Sequence, residues 1–313
     1  MNNSFTVIIP LYNKEPYIKR ALETVLNQTY DNFEMIIIDD GSTDEGVRIV
    51  SSIHDTRIKV FSQMNSGVSA ARNRGALLAK NQYLAFLDAD DTWEPNFLQE
   101  ISNLIDEFPY AGIYAANNKF IYPSGKVMLE SFSDLFNGKN TGIIEDYFGL
   151  FAKIQKSPFS NSNLCIPKKI YDEFGGYKEG VKLTEDSDLW CRIALKYDIA
   201  YNIRPLANYF MALEGSTHSI FEPKEFQVAL TLKDSISQNQ VKKELISSVK
   251  KLISFQNLSL VKRAILSGEK MFVIRKIFNY AMWISYPKDS IICLVSLFLP
   301  SKLFTYFRTK KLN

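Results

Sequence analysis

Cysteine is scarce in these 313 residues: Cys165, Cys191 and Cys293 are scattered, with no metal-ligand spacing among them. That usage excludes a disulfide framework and suits a reducing compartment. Histidine occurs only twice. No basic stretch precedes the first apolar run, Phe5 to Pro10, so a secretory leader is not expected and the cytoplasm is the expected compartment. Long apolar runs are missing as well. The longest uncharged run near the C-terminus, Ser290 to Ser301, is too short to span a bilayer as a helix. No Walker-type phosphate loop, internal repeat or low-complexity tract is present.

What is present is an ordinary globular composition, 46% hydrophobic and 23% charged. The length allows one large domain or a domain with an appendage. A net charge of +3 conceals an asymmetry. Residues 1–220 carry 21 Lys and Arg against 28 Asp and Glu, whereas residues 221–313 carry 16 against 6. A basic tail on an acidic body predicts an anionic partner surface. The tail is rich in aromatics set among aliphatic residues, including Phe272, Phe278, Trp283, Phe298 and Phe307. That mixture favours a membrane surface over nucleic acid, with the Ser290–Ser301 run lying in the interface. Packing of these helices on the body, or a dimer contact, is the alternative.

Strand and helix signals alternate through the first half. Phe5–Pro10, Phe33–Asp39, Ile58–Phe61 and the run ending at Asp88 read as strands. Helices are predicted from an Asn13 cap through Leu26, after Ser42-Thr43-Asp44, over Gly67–Ala79, and from Trp93 onward. Such alternation predicts a mostly parallel sheet flanked by helices, a Rossmann-like α/β fold. Residues 111–122 and 162–167 read as further strands, 168–174 and 185–195 as helices, and 124–160 as an irregular stretch with short helices. Beyond residue 222, two amphipathic helices are predicted, one through Val241–Ile253 and one through Leu260–Ile265. The expected domains are therefore 1–220 and a helical extension, 221–313.

The most informative stretch is Tyr83-Leu-Ala-Phe-Leu-Asp88-Ala89-Asp90-Asp91, an apolar run that stops in three carboxylates. Ligands of open α/β sheets bind outside the carboxyl ends of such strands. Two aspartates one residue apart can hold a hard cation, and Mg²⁺ typically takes one or two carboxylates plus substrate phosphates. Read alone, the same residues also suit a solvated acidic turn.

Five segments fall on that edge: Pro10-Leu-Tyr12-Asn13, Asp39-Asp40-Gly41-Ser42-Thr43-Asp44, Asn65-Ser-Gly67-Val-Ser-Ala-Ala-Arg72-Asn73, Asp88-Ala89-Asp90-Asp91 and Glu185-Asp186-Ser-Asp188-Leu-Trp190. In this order and spacing they resemble the family 2 glycosyltransferases of GT-A fold, over roughly residues 4–220. The resemblance implies transfer of a sugar from a nucleotide-diphosphate donor, commonly UDP, to an acceptor hydroxyl with inversion. It places Pro10, Tyr12 and Glu15 at the nucleotide, Asp39 and Asp40 at base or ribose, and Gly67 and Arg72 along the donor. It assigns Asp88 and Asp90, with Ala89 between them, to Mg²⁺ or Mn²⁺. Asp186 is implied as the base that takes the acceptor proton, with Glu185 and Asp188 as neighbours able to raise its pKa. Gly175, Gly176 and Tyr177 match the acceptor-side turn, and His218 stands where some related enzymes keep a metal or diphosphate ligand. With the basic tail, the expectation is an enzyme peripheral to the inner face of the cell membrane, acting on a glycan or lipid-linked acceptor. The alternative is a non-catalytic nucleotide-sugar or glycan binding module of the same fold.

Overall fold

The computed structural model describes residues 3–211, 222, 224–278 and 280–298. His218 lies outside them. Contacts divide the chain into two units, Met1–Glu145 with Pro158–Glu214, and Asp146–Ser157 with Gly215–Asn313. A segment internal to the expected first domain thus groups with the C-terminal helices.

Ten strands form one sheet: β1 (Phe5–Leu11), β2 (Phe33–Asp39), β3 (Ile58–Ser62), β4 (Tyr83–Phe86), β5 (Thr92–Trp93), β6 (Ile113–Ile121), β7 (Val127–Leu129), β8 (Thr141–Ile143), β9 (Leu164–Pro167) and β10 (Ile199–Phe210). The main order is β3-β2-β1-β4-β9-β6-β10-β5, with β7 beside β6 and β8 beside β10. The expected parallel pairing is realised along β3, β2, β1 and β4, and again between β6 and β10. Between these blocks β9 inserts antiparallel to both neighbours.

Within the sheet-bearing stretch the helices are α1 (Glu15–Leu26), α2 (Gly46–Ser51), α3 (Val68–Leu78), α4 (Phe97–Glu107), α5 (Tyr147–Ile154), α6 (Lys168–Glu173) and α7 (Glu185–Ala194). Alternation along β1 decides which face each helix covers. Phe5, Val7, Ile9 and Leu11 pack with Ile18, Leu22 and Val25 of α1 and with Phe97 and Ile101 of α4. Ile36 and Ile38 of β2 meet Ala71 of α3 on the other face. Buried on both sides, these strands read as continuous apolar runs. A Cβ on Gly75 would lie 2.5 Å from Ile8 Cγ2, so α3 rides close on β1 only because that residue is glycine.

Two helix starts differ from the sequence reading. α1 is capped at Lys14, and Asn13 precedes it with φ 49°, its side-chain oxygen accepting from Thr43 N at 2.8 Å. Trp93 belongs to β5, and α4 begins after Asn96.

The helical unit contains α5, α8 (Gln227–Ser237), α9 (Ile246–Leu266), α10 (Lys270–Ile277), α11 (Tyr280–Ser285) and α12 (Pro287–Ser296). The two amphipathic helices expected here are one: α9 runs unbroken for 21 residues after a short 3₁₀ turn at Lys243–Leu245. The other five helices all contact it. That explains why α9 is buried around much of its circumference instead of along one stripe. No helix among the described residues is long and apolar enough to cross a membrane.

Candidate active site

The first wall of the site comes from the loops after β1 and β2. Glu15 N donates to Asp44 at 2.7 Å and the Glu15 carboxylate accepts from Glu45 N at 3.2 Å, so the two loops hold each other. Pro10 is half-buried and Tyr12 exposed beside them. The paired aspartates have different duties. Asp40 accepts from Gln63 Nε2 at 2.7 Å, Ser66 N at 2.9 Å and Gly67 N at 2.8 Å. It therefore builds the entry to α3, where Gly67 has φ 89°. Asp39 accepts from Ser42 N through Oδ1, and its Oδ2 meets no donor among the described residues. With that oxygen uncommitted, Asp39 is the member of the pair available to a ligand.

At the end of β4 the three acids separate. Asp91 turns inward, accepting from Ser162 Oγ at 2.5 Å and Phe210 N at 3.1 Å. Burial, with Asp88 and Asp90 adding to it, pushes its carboxyl well above the ordinary range. Asp88 and Asp90 stay partly open to solvent. Lys14 reaches Asp90 Oδ2 at 2.6 Å, and Arg20 donates to the Asp90 carbonyl at 2.8 Å while lying 3.7 Å over the Phe210 ring. Tyr209 sits among the same carboxylates, and its phenol is pushed up by burial and by Asp91, Asp88 and Asp90.

Arg72 joins this edge to the second acidic motif. Its guanidinium is almost fully buried, 2.6 Å from Asp88 Oδ1 and 3.5 Å from Glu185 Oε1. The Tyr177 ring lies beneath it at 5.3 Å. The hydrogen-bond network orients the Asn161 amide so that its oxygen accepts from both Arg72 terminal nitrogens, at 3.2 and 3.1 Å, while its nitrogen donates to Tyr177 Oη. Burial with Asp186 close by pushes Glu185 up to about 7, against the pull of Arg72. Asp186 lies in the first turn of α7, accepts from Ser187 N at 2.5 Å, and is raised by burial and by Asp88. Asp188 is fully buried and accepts from Arg192 Nε at 2.9 Å and Lys178 Nζ at 3.3 Å. Leu189 and Trp190 are core.

The Gly175-Gly176-Tyr177 turn is a junction as much as a rim. Asn73 of α3 donates to Tyr177 O at 2.8 Å and accepts from Tyr177 N at 2.9 Å, and Arg192 of α7 donates to Gly176 O at 2.7 Å. Gly176, at φ 65°, has no room for a Cβ, whereas Gly175 faces open space. The exposed part of this turn is Gly175; Tyr177 is buried under Arg72.

Several site residues carry no sequence signal of their own. Lys14 and Arg20 look like ordinary helix-surface cations, and Asn161 and Ser162 sit in an undistinguished polar stretch. Tyr209 arrives from a distant part of the sequence along β10. Only an acid seeking a partner, such as Asp91, hints at the need for donors like Ser162.

As donors for a divalent cation, Asp88 and Asp90 fit the two-carboxylate set that leaves substrate phosphates to complete the shell. Each of these carboxylates attracts a cationic side chain, Arg72 or Lys14. Among the described residues no group of three His, Cys, Asp or Glu converges on one point.

The chain has many relatives. Amylovoran biosynthesis glycosyltransferase AmsB of Erwinia amylovora is 32% identical over 228 residues, covering 69% of this chain and 72% of that protein. An uncharacterized glycosyltransferase of Rickettsia conorii is 31% identical over 231 residues, 73% of this chain but 36% of that protein. The chain thus spans about a third of the length of this relative and of those from Rickettsia felis and Rickettsia bellii. The fold is shared with S. aureus TarS 1–349, solved in complex with UDP-GlcNAc, at a TM-score of 0.62 and 20% identity over 87% of this chain and 89% of that one. Residues 6–175, more than half the sequence, match Glycosyl transferase family 2, and with the acids gathered at the ends of β2 and β4 and at the start of α7 the chain belongs to that family.

Proposed function

We propose that this glycosyltransferase moves a sugar with inversion from a nucleotide-diphosphate donor, most simply a UDP-sugar, to a hydroxyl of a lipid-linked glycan during surface polysaccharide synthesis at the inner face of the membrane. One observation carries the reading: the buried Arg72 guanidinium touches both Asp88 at the strand end and Glu185 beside Asp186. The acids suited to a donor and the acid suited to an acceptor proton therefore lie around one guanidinium. The polysaccharide role of AmsB and the UDP and UDP-GlcNAc bound to TarS support the donor class and pathway.

Asp39 would accept from a base N–H through its free oxygen, between the latched loops. Asp88 and Asp90 would hold Mg²⁺ or Mn²⁺, which neutralises charge on the departing diphosphate. Asp186 would take the acceptor proton as the new C–O bond forms on the face opposite the breaking bond, whose electron pair leaves with the nucleotide diphosphate. A carboxylate raised above its ordinary range is a better base for this. Arg72 would keep Asp88 and Glu185 at fixed separation through the reaction. The test is release of nucleotide diphosphate from a panel of nucleotide sugars, with Mn²⁺ and then EDTA, by the wild type, Asp90→Ala and Asp186→Asn. Metal-dependent turnover of one donor, lost in both variants, is expected. Tight donor binding without turnover against any free or lipid-linked acceptor would favour a binding module.

A further inference from the structure

Helix α12 is inside-out. Its buried positions are Ser290, Cys293 and Ser296, while Ile291, Ile292, Val295 and the following Phe298 are exposed. Water-facing helices place these residue types the other way round. The neighbouring α10 continues the pattern with Met271, Ile274 and Phe278 exposed at helical spacing, and Ile284 of α11 adds to it. The exposure is large for apolar side chains, 72% at Phe278, 64% at Ile284 and 83% at Phe298.

Charge identifies the occupant. Between residues 270 and 298 every exposed described residue is apolar or cationic, the cations being Lys270, Arg275 and Lys288. The one acid in that span, Asp289, is half-buried and bound to Lys262 at 2.7 Å. After Asp289 the sequence holds no further acid, but adds Lys302, Arg308, Lys310 and Lys311 among Phe304, Tyr306 and Phe307. A second copy would oppose one cationic face with another, and the chain's own tail would add positive charge without neutralising any. An anionic lipid surface satisfies both halves of the pattern, taking the apolar side chains below its headgroups and pairing with the cations.

We infer that the outward faces of α10, α11 and α12 form a docking plate for an anionic bilayer, seated in the interface without crossing it. This deepens the membrane-facing part of the proposed function, but its test needs neither donor nor acceptor. The full chain is floated with phosphatidylcholine vesicles, with and without phosphatidylglycerol, at low and high salt. Expected are at least tenfold more bound protein on the anionic vesicles and a loss of that preference at high salt. Ile291→Ser with Phe298→Ser should lower binding to anionic vesicles at least tenfold, with unchanged melting temperature and unchanged donor hydrolysis. Lys270→Gln with Arg275→Gln and Lys288→Gln should abolish the lipid preference. Wild-type protein that stays unbound on anionic vesicles would overturn the inference, as would binding indifferent to both variants. Dimers that dissociate in the Ile291 and Phe298 variant would overturn it in favour of a second copy. Vesicle binding without any sugar transfer would leave the plate standing and sink only the enzyme reading.

Discussion

The sheet unit and the helical unit depart from the usual inside–outside arrangement in opposite senses. In the sheet unit polar groups go in: Asp91, Arg72, Asp188 and Asn161 are buried, each with hydrogen-bonding or ionic partners. In the helical unit apolar groups stay out, on α10 and α12, over buried serines. Buried charge is tolerated only where it is paired, and it is kept where geometry has to be held. A contiguous exposed apolar face marks a surface that meets something other than water. Each departure is therefore a mark of use, and the two uses can be separated by experiment.

The largest effect should come from the sheet unit's chemistry. Asp186→Asn is expected to lower transfer about 10²- to 10⁴-fold while leaving thermal melting nearly unchanged, since a general base contributes on that scale; steady-state kinetics beside a melting curve checks it. Next is the charge network. Arg72→Met strands Asp88 and Glu185 without their cation and should cost roughly 3–5 kcal/mol in urea unfolding, the scale for breaking a buried pair. A loss below about 1 kcal/mol would mean the guanidinium is solvated and the contrast between the units is false. Gly75→Val drives a side chain into Ile8 and should cost about 1–3 kcal/mol by overpacking.

A pH series sharpens the same comparison. Glu185 is raised in the folded state to about 7, so the fold holds a proton that the unfolded chain releases from about pH 4.5 upward. Its contribution is therefore complete in acid and falls away as pH rises through 7. The wild-type melting temperature should decline across that window, and Glu185→Gln should flatten the decline. The smallest effect belongs to the helical unit. Ile291→Ser removes an exposed side chain and should leave unfolding within about 0.5 kcal/mol of wild type, a null result that contrasts with Gly75→Val.

Legibility in the sequence follows local physics. β1, β2 and β4 were readable because strands buried on both faces are near-continuous apolar runs, whereas the half-buried edge strand β3 was readable from its short alternating run of Ile, Val and Phe. β10 was not, although it spans Ile199–Phe210, because Arg204-Pro205 breaks the run. Pro205 lies where the register with β6 shifts, the kind of position at which a strand tolerates proline. α9 was read as two helices because its interior position spreads buried residues, polar ones among them, around much of the helix and blurs the periodicity. The acids of the site were visible as motifs, whereas their partners were not, since nothing local distinguishes Asn161, Ser162 or Lys14.

By itself the sequence determined the alternation of strands and helices, the acidic residues at strand ends and the basic, aromatic character of the last third, because each is a matter of residue type and short-range spacing. Tertiary structure alone decided that Asp40 serves its own loop while Asp39 keeps a free oxygen, and that Asp188 pairs with Arg192 and Lys178. It alone placed the serines of α12 inside and the isoleucines outside. Those outcomes depend on which groups meet once the chain has folded, where desolvation and pairing, rather than propensity, set the energy.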